Sequence, residues 1–519
     1  MCNKSPLIKS SKRSILRLIF GRTMLILLLL CANFFVIFRY LLQFFQQMPL
    51  VFGSLELFTA AMLIYVINTR DNPSVKLSWA FVIATVPLMG AVLYFFVRFE
   101  LGHRLNRRLL NQSIRESAAF LPKQEHLYQQ IKDKDPSLSN LCHYLRIQAN
   151  APVYANTQVT YFPLGEQMHE ELLSQLEKAK KFIFMEYFLV SDGYMWNSIL
   201  EILTRKAAQG VEVRFLYDGM NAFYNLPYSY PKQLKQRGIQ CKMFAPIRPF
   251  VSTHYNNRDH RKITVIDGHT AFTGGINLED RYINREVVCG HWKDTAVMIR
   301  GDAVQSFTGM FLQLWNYDER ERIFAPYLSL PDTVPDCSGF VIPYGDNPTN
   351  REQVGRQVYL DMINRAQKDL LIMTPYLIPD SETLTALEFA AKRGVDVHLV
   401  LPGIPDKRTI FAITRSYYPQ LLEAGVHIHE YTPGFVHAKV LLSDDIHAVV
   451  GTINLDYRSL YHHFECGAYL YGVDALEQIR EDFSATLARC NLITPAALRR
   501  QSPLMRLFAY LIKFAAPLM

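Results

Sequence analysis

Apolar positions along this chain follow three regimes: unbroken blocks before residue 100, two alternating periods between 150 and 490, and a short wrapped segment after 503. The blocks are residues 24–38, 50–67 and 77–97, the last free of charge and containing Pro87. A helix needs about 20 mainly apolar residues to cross the hydrocarbon core. The blocks therefore predict membrane helices, with Pro87 tolerated as a kink. Lys4, Lys9, Lys12, Arg13, Arg17 and Arg22 precede the first block with no acid among them, and no small-residue cleavage site follows. That pattern marks a retained anchor rather than a cleaved leader. The basic start and Arg98, Arg104, Arg107 and Arg108 both ask for the cytoplasmic side. Three full spans cannot satisfy both clusters, so either one segment is re-entrant or interfacial, or one cluster misleads. The cytoplasm is the favoured side for the rest of the chain.

From LLSQLEKAK into KFIFMEYFLV, and from ILEILTRKAAQG into VEVRFLYD, a helical period gives way to a strand period. LIMTPYLI, LEFAAKRG and VDVHLVLPG repeat the alternation further on. Gly210 and Gly394 each close a helix ahead of a valine-rich strand. The expected organisation is a membrane region at 1–108, a helical connector at 109–149, related α/β units at 150–336 and 337–490, and a tail at 491–519. In that tail, PLMRLFAYLIKFAAPLM sets Arg506, Tyr510 and Lys513 on one helical face among Leu507, Phe508, Leu511 and Ile512. An amphipathic helix lying in a bilayer interface has this pattern; a terminal helix packed on its own domain is the alternative.

Composition narrows the picture modestly. With 519 residues, half of them hydrophobic, the chain can bury two or three cores and excludes long disordered tracts. A formal charge of +8 suits nucleic acid, an anionic membrane or a phosphate-bearing substrate. The eight cysteines stand singly with no Cys-x-x-Cys pair, which speaks against a zinc site or a disulfide scaffold.

The chemistry lies in a repeated motif. HRKITVID (260–267) and HAKVLLSD (437–444) share His-x-Lys-x-x-x-x-Asp. Gly274 and Asn277 follow His260 at the same offsets, 14 and 17, as Gly451 and Asn454 follow His437. Asp294 and Glu465 each precede a glycine by seven positions. In a strand, residues two apart face the same side, so His260 points with Lys262 and His437 with Lys439. Asp267 and Asp444 lie at an odd offset, and Asp267-Gly268 between apolar runs is a hairpin signal; turn and chemical roles are equally open for them.

If the halves pack about a pseudo-two-fold axis, the histidines face each other across one pocket suited to a phosphodiester. One imidazole attacks phosphorus while the other protonates the departing alkoxide. The lysines and the asparagine amides stabilise the phosphoryl oxygens. Asp294 and Glu465 can fix the imidazole tautomers, with structural salt bridging as their alternative role. No metal or other cofactor is required.

These residues resemble the phospholipase D superfamily, and within it the bacterial cardiolipin synthases. NPSVKLSWAFVIATVPLMGAVLYFF, FMEYFLVSDG, NNRDHRKITVIDG, FTGGINLEDRYIN, PGFVHAKVLLSDD and VGTINLDYRS carry the likeness. The resemblance implies two phospholipase D-like units, each a mixed sheet flanked by helices, packed with pseudo-two-fold symmetry behind N-terminal transmembrane helices. It implies catalytic His260, Lys262, Asp267, His437, Lys439 and Asp444, with His260 the nucleophile. It implies conversion of two phosphatidylglycerols into cardiolipin and glycerol through a phosphohistidine, in a multi-pass protein of the bacterial cell membrane that meets anionic lipids and no nucleic acid. Asp259 departs from the neutral polar residue expected there; as a strand neighbour of His260 it should point away from the pocket. The competing readings are a membrane phospholipase D releasing phosphatidic acid, a nuclease and a non-catalytic scaffold.

Overall fold

The computed structural model describes residues 39, 49–98, 104–246, 257–328, 337–350, 352–499, 509–514 and 516–518. The chain divides at Arg98 into two compact bodies.

The first body holds helices Pro49–Ile67, Pro73–Thr85 and Pro87–Arg98. Trp79 and Tyr94 meet edge to face at 5.3 Å, while Leu57, Ile64, Leu77, Leu88 and Phe96 stay exposed. Among the described residues, no helix is long and apolar enough to cross a membrane. The 21-residue span expected at 77–97 is not one helix. Pro87 has no N–H to give, and its ring opposes the carbonyl four residues back. It also pushes the preceding residue out of the helical region: Val86 takes φ −136°, ψ 77° and ends one helix as the next begins. The expected first span at 24–38 lies outside the described residues.

In the second body two sheets repeat one topology. The first contains β1 (Thr157–Phe162), β2 (Phe182–Tyr187), β3 (Glu212–Asp218), β4 (Gln240–Phe244), β5 (Lys262–Ile266), β6 (Thr270–Gly274) and β8 (Ala296–Gly301). Its order is β1-β8-β6-β5-β2-β3-β4. The second contains β9 (Phe340–Asp346), β10 (Asp369–Met373), β12 (Asp396–Pro402), β13 (His427–Tyr431), β15 (Val440–Ser443), β16 (His447–Gly451), β18 (Glu465–Tyr471) and β19 (Cys490–Leu492). Read from β9, it runs β9-β18-β16-β15-β10-β12-β13, with β19 added at the edge. In both, the crossover strands are parallel and the motif hairpins antiparallel, the expected mixed sheet. Gly210 (φ +90°) and Gly394 (φ +97°) end their helices in the left-handed region glycine tolerates.

One apolar core joins the halves. Val265, Ala271 and Val297 of the first sheet pack in it with Val440, Ala448 and Ala468 of the second. Helices Glu125–Lys134 and Pro136–Ala149, in the stretch expected as a helical connector, pack into a core. Leu127, Leu138, Leu141 and Leu145 bury against Ile342, Val358 and Met362 of the second half. Helix Arg104–Ala118 straddles the boundary drawn at 108 and is tied to helix Val304–Asn316, Ser113 Oγ donating to the Gln313 carbonyl at 3.0 Å. At the C-terminus residues 509–513 are helical. Ile512 and Ala516 join the second-half core, and Lys513 Nζ lies 3.6 Å from the centre of the Tyr417 ring. Tyr510 and Leu511 remain exposed.

Candidate active site

Each motif histidine is fixed by the opposite half. His260 precedes β5, and its N–H donates to the Phe464 carbonyl at 2.9 Å. His437 follows β14 (Gly434–Val436), which pairs in parallel with β7 (His291–Lys293), and its N–H donates to the Lys293 carbonyl at 2.7 Å. The residue after each accepting carbonyl is an acid, so the backbone bond delivers a carboxylate to the histidine ring. His260 Nδ1 is 2.9 Å from both Glu465 oxygens, and His437 Nδ1 is 2.6 Å from Asp294 Oδ2. The pairing is crossed. A carboxylate on Nδ1–H puts the lone pair on Nε2, which in His437 has Lys439 Nζ at 3.2 Å.

Lys262 and Lys439 are buried beside these rings, each bonded back to the carbonyl of its own histidine. Lys439 Nζ also lies 2.8 Å from His437 Nδ1. Lys262 acts electrostatically on both His437 and Lys439, which gathers the two motifs into one site. Burial, opposed by Glu465, pushes His260 down to about 3. Burial and the Lys439 ammonium hold His437 well below the usual imidazole range. Burial likewise lowers Lys262 to about 8 and Lys439 to about 7. At neutral pH both imidazoles are therefore neutral, while Lys262 keeps most of its charge and Lys439 about half.

The two carboxylates differ. Burial raises Asp294 to about 7 against the pull of Lys439. For Glu465 burial acts the same way, but His260 and His463 outweigh it and hold the carboxyl well below the usual range. A small structural difference accompanies this. A Cβ on Gly275 would stand 2.0 Å from Asp294 Oδ1, whereas Thr452, at the same offset in the second motif, donates its hydroxyl to Glu465. The apolar walls differ too. Trp292 and Tyr282 lie 5.5 Å and 5.3 Å from the His437 ring. Phe188 and His463 lie 5.1 Å and 5.3 Å from His260.

Asp267 and Asp444 do not face the histidines. They sit at the far ends of β5 and β15, where both anchor backbone, in line with the turn role the sequence left open for them. Asp267 accepts the backbone N–H groups of Lys180, Lys181 and Phe182 at 2.7–2.8 Å. Asp444 does the same for Gln367, Lys368 and Asp369. Their φ values of +53° and +54° open the hairpins, as Asp267-Gly268 predicts. Asn277 is committed to local bonds, accepting from Leu189 N–H and donating to Tyr282 Oη. Asn454 Oδ1 is buried and has no hydrogen-bond partner among the described residues. Asp259 points away from the pocket, as expected, into a buried cluster where Arg261 lies 2.6 Å from Glu186 and 3.4 Å from Asp259.

The motif spacing does not single out His463, Trp292, Gly275 or Thr452. A signal for them exists all the same: they are among the offsets at which the two repeats disagree. His260, His463 and Glu465 carry ligating atoms within 4.8 Å of one another, a set that could hold a metal ion. An ion there would compete with the Glu465–His260 bond.

The arrangement can run an in-line displacement at phosphorus, with one Nε2 attacking and the other facing the leaving oxygen, and with two ammonium groups for the phosphoryl oxygens.

Comparison with known proteins agrees. The family described as "Cardiolipin synthase, PLD-like domain" matches residues 172–315 and 359–487, and "Phospholipase_D-nuclease N-terminal" matches 57–98. A Streptococcus mutans protein described as uncharacterized is 47% identical over 456 residues, 88% of this chain and 99% of that one. A cardiolipin synthase of Halalkalibacterium halodurans is 35% identical over 86% of this chain and 90% of its own. The crystal structure of a Haemophilus influenzae phosphatidylserine synthase shares the fold, with a TM-score of 0.56 at 16% identity, covering 74% of this chain and 98% of that one.

Proposed function

Because the chain belongs to the cardiolipin synthase family of phospholipase D-like proteins, we propose that it moves a phosphatidyl group from one phosphatidylglycerol to another. It is an enzyme of phosphatidyl transfer, and the products are cardiolipin and glycerol. The crossed His–carboxylate pairs around two buried lysines carry this reading.

The phosphodiester of the first lipid enters between Lys262 and Lys439. Its negative charge raises the proton affinity of both lysines and of His437, so the acid arrives protonated together with its substrate. His260 Nε2 attacks phosphorus while the bond to the glycerol oxygen breaks, and His437 gives that oxygen its proton. Glu465 stabilises the positive charge on the phosphorylated imidazole. His437, now neutral, takes the proton from a hydroxyl of the second phosphatidylglycerol. That oxygen attacks phosphorus, the P–N bond breaks and His260 is restored. Residues before Arg98 hold the protein in the bacterial cell membrane as a multi-pass anchor, and Arg104, Arg107 and Arg108 favour a cytoplasmic catalytic body.

The test is the purified full chain with phosphatidylglycerol as the sole lipid. Cardiolipin and glycerol should appear in equal amounts. Phosphatidic acid as the main product would replace transfer by hydrolysis.

A further inference from the structure

The catalytic groups lie too deep for a lipid to reach unless the mouth of the site meets the bilayer. His260 and His437 are only 6% and 7% exposed. A phospholipid that left the membrane to reach them would carry two acyl chains into water, which the hydrophobic effect opposes.

One rim of the body has the chemistry for that contact. The loop before β7 exposes Val287 and Val288 to 78% and 52%. Ile404, 41% exposed, stands beside this loop: its Cδ1 would be 3.1 Å from a Cβ on Gly290. Cys289 Sγ lies 3.6 Å from the Pro405 carbonyl, so the two segments form one surface. That surface lies on the His437 side of the site, because the loop runs directly into β7, which pairs with β14 just before His437 and sets Trp292 5.5 Å from its ring.

The charges around the apolar residues carry a small basic excess. Arg285, Lys407 and Arg408 are exposed. Two exposed acids oppose them, Glu286 and Asp406, the latter accepting from the Tyr376 hydroxyl at 2.7 Å, so the cations exceed the acids by one. Exposed aliphatic side chains flanked by Arg285, Lys407 and Arg408 match an anionic bilayer: the aliphatics enter the interface and the cations meet the headgroups. We propose that the Val287–Val288 loop and Ile404 dip into the anionic leaflet and seal the mouth of the site against it, so that lipid passes from membrane to phosphohistidine without crossing water. This rests on the phosphatidyl-transfer reading above.

The experiment uses the full chain carrying Val287→Asp and Val288→Asp. Activity is measured on phosphatidylglycerol vesicles and on a short-chain phosphatidylglycerol kept below its micelle concentration. A fall of tenfold or more on vesicles with unchanged turnover of the monomeric lipid is expected. Unchanged vesicle activity, or an equal loss on both substrates, overturns the docking. An independent measurement covers misfolding of that variant: Val287→Trp should add tryptophan fluorescence that brominated anionic vesicles quench, relative to the unsubstituted chain. No added quenching also overturns it. If the unsubstituted chain makes no cardiolipin from either lipid, the transfer reading fails instead, and the quenching still decides the docking.

Discussion

Replacing Glu465 by glutamine tests the crossed pairing directly. The substitution keeps the shape and removes one charge from a fully buried position 2.9 Å from His260 Nδ1. When His260 takes phosphorus its ring becomes cationic, and the two charge centres stand roughly 4 Å apart. At an effective dielectric constant near 20 that attraction is about 4 kcal/mol. Since about 1.36 kcal/mol is tenfold in rate, phosphohistidine should form roughly 10³-fold more slowly. The assay is rapid-quench counting of acid-labile phosphate label from a donor with a good leaving group, which needs no proton from His437. A double-mutant cycle then locates the partner. Adding Glu465→Gln to His260→Ala should cost residual turnover little, whereas adding it to His437→Ala should cost nearly its full effect. The opposite pattern, with Glu465 coupled to His437, would refute the crossed arrangement. Unchanged label formation in Glu465→Gln would show that the carboxylate charge does not stabilise the phosphorylated ring.

Three further outcomes follow from the same structure. Lys262 and Lys439, lowered to about 8 and about 7, are protonated at acid pH and lose their charge as pH rises through those values. An anionic substrate needs that charge, so kcat/KM should fall above pH 7 with a limiting slope steeper than one decade per unit, and Lys439→Met should make the slope shallower. Asp444→Ala should leave three backbone N–H groups without their acceptor and lower stability by about 1–3 kcal/mol, read as Tm, with KM for the lipid unchanged. Burial would raise Asp444, but the N–H groups of Lys368, Gln367 and Asp369 hold it below its usual value, so its contribution stands at neutral pH and fades only as pH falls below the ordinary aspartate range. Turnover should survive a strong chelator, since Glu465 of the His260–His463–Glu465 set is already engaged by His260 Nδ1; loss of activity that zinc restores would reassign the set as a metal centre.

Local chemistry makes much of the fold legible. The switch of period before β2 and β3, the glycines at 210 and 394 and the Asp-Gly pair at 267–268 each act within a few residues, and each appears where the pattern puts it. What escapes depends on distant partners. Nothing in the helices at 125–149 announces that they pack on the second half rather than the first. A spacing can say that Asp294 and Glu465 matter, but not that each serves the histidine of the other unit. The aspartates of the repeated motif mislead for a related reason: recurrence marks equally a residue that reacts and one that pins a turn. Pro87 is plain in the sequence, yet a proline kink and a proline break look alike until the residue before it is placed.

The exchange of carboxylates has a bearing on descent. A single unit would present a histidine with no acid and an acid with no histidine, so alone it would be inert. Two identical copies meeting about a two-fold axis would supply each other, but any substitution would then strike both sides at once. Joining the copies in one gene lifts that restriction. Position 275 is glycine while 452 is threonine, 292 is tryptophan while 463 is histidine, and 294 is aspartate while 465 is glutamate. Attack and proton transfer are different tasks, and a fused pair can inherit separate surroundings for each.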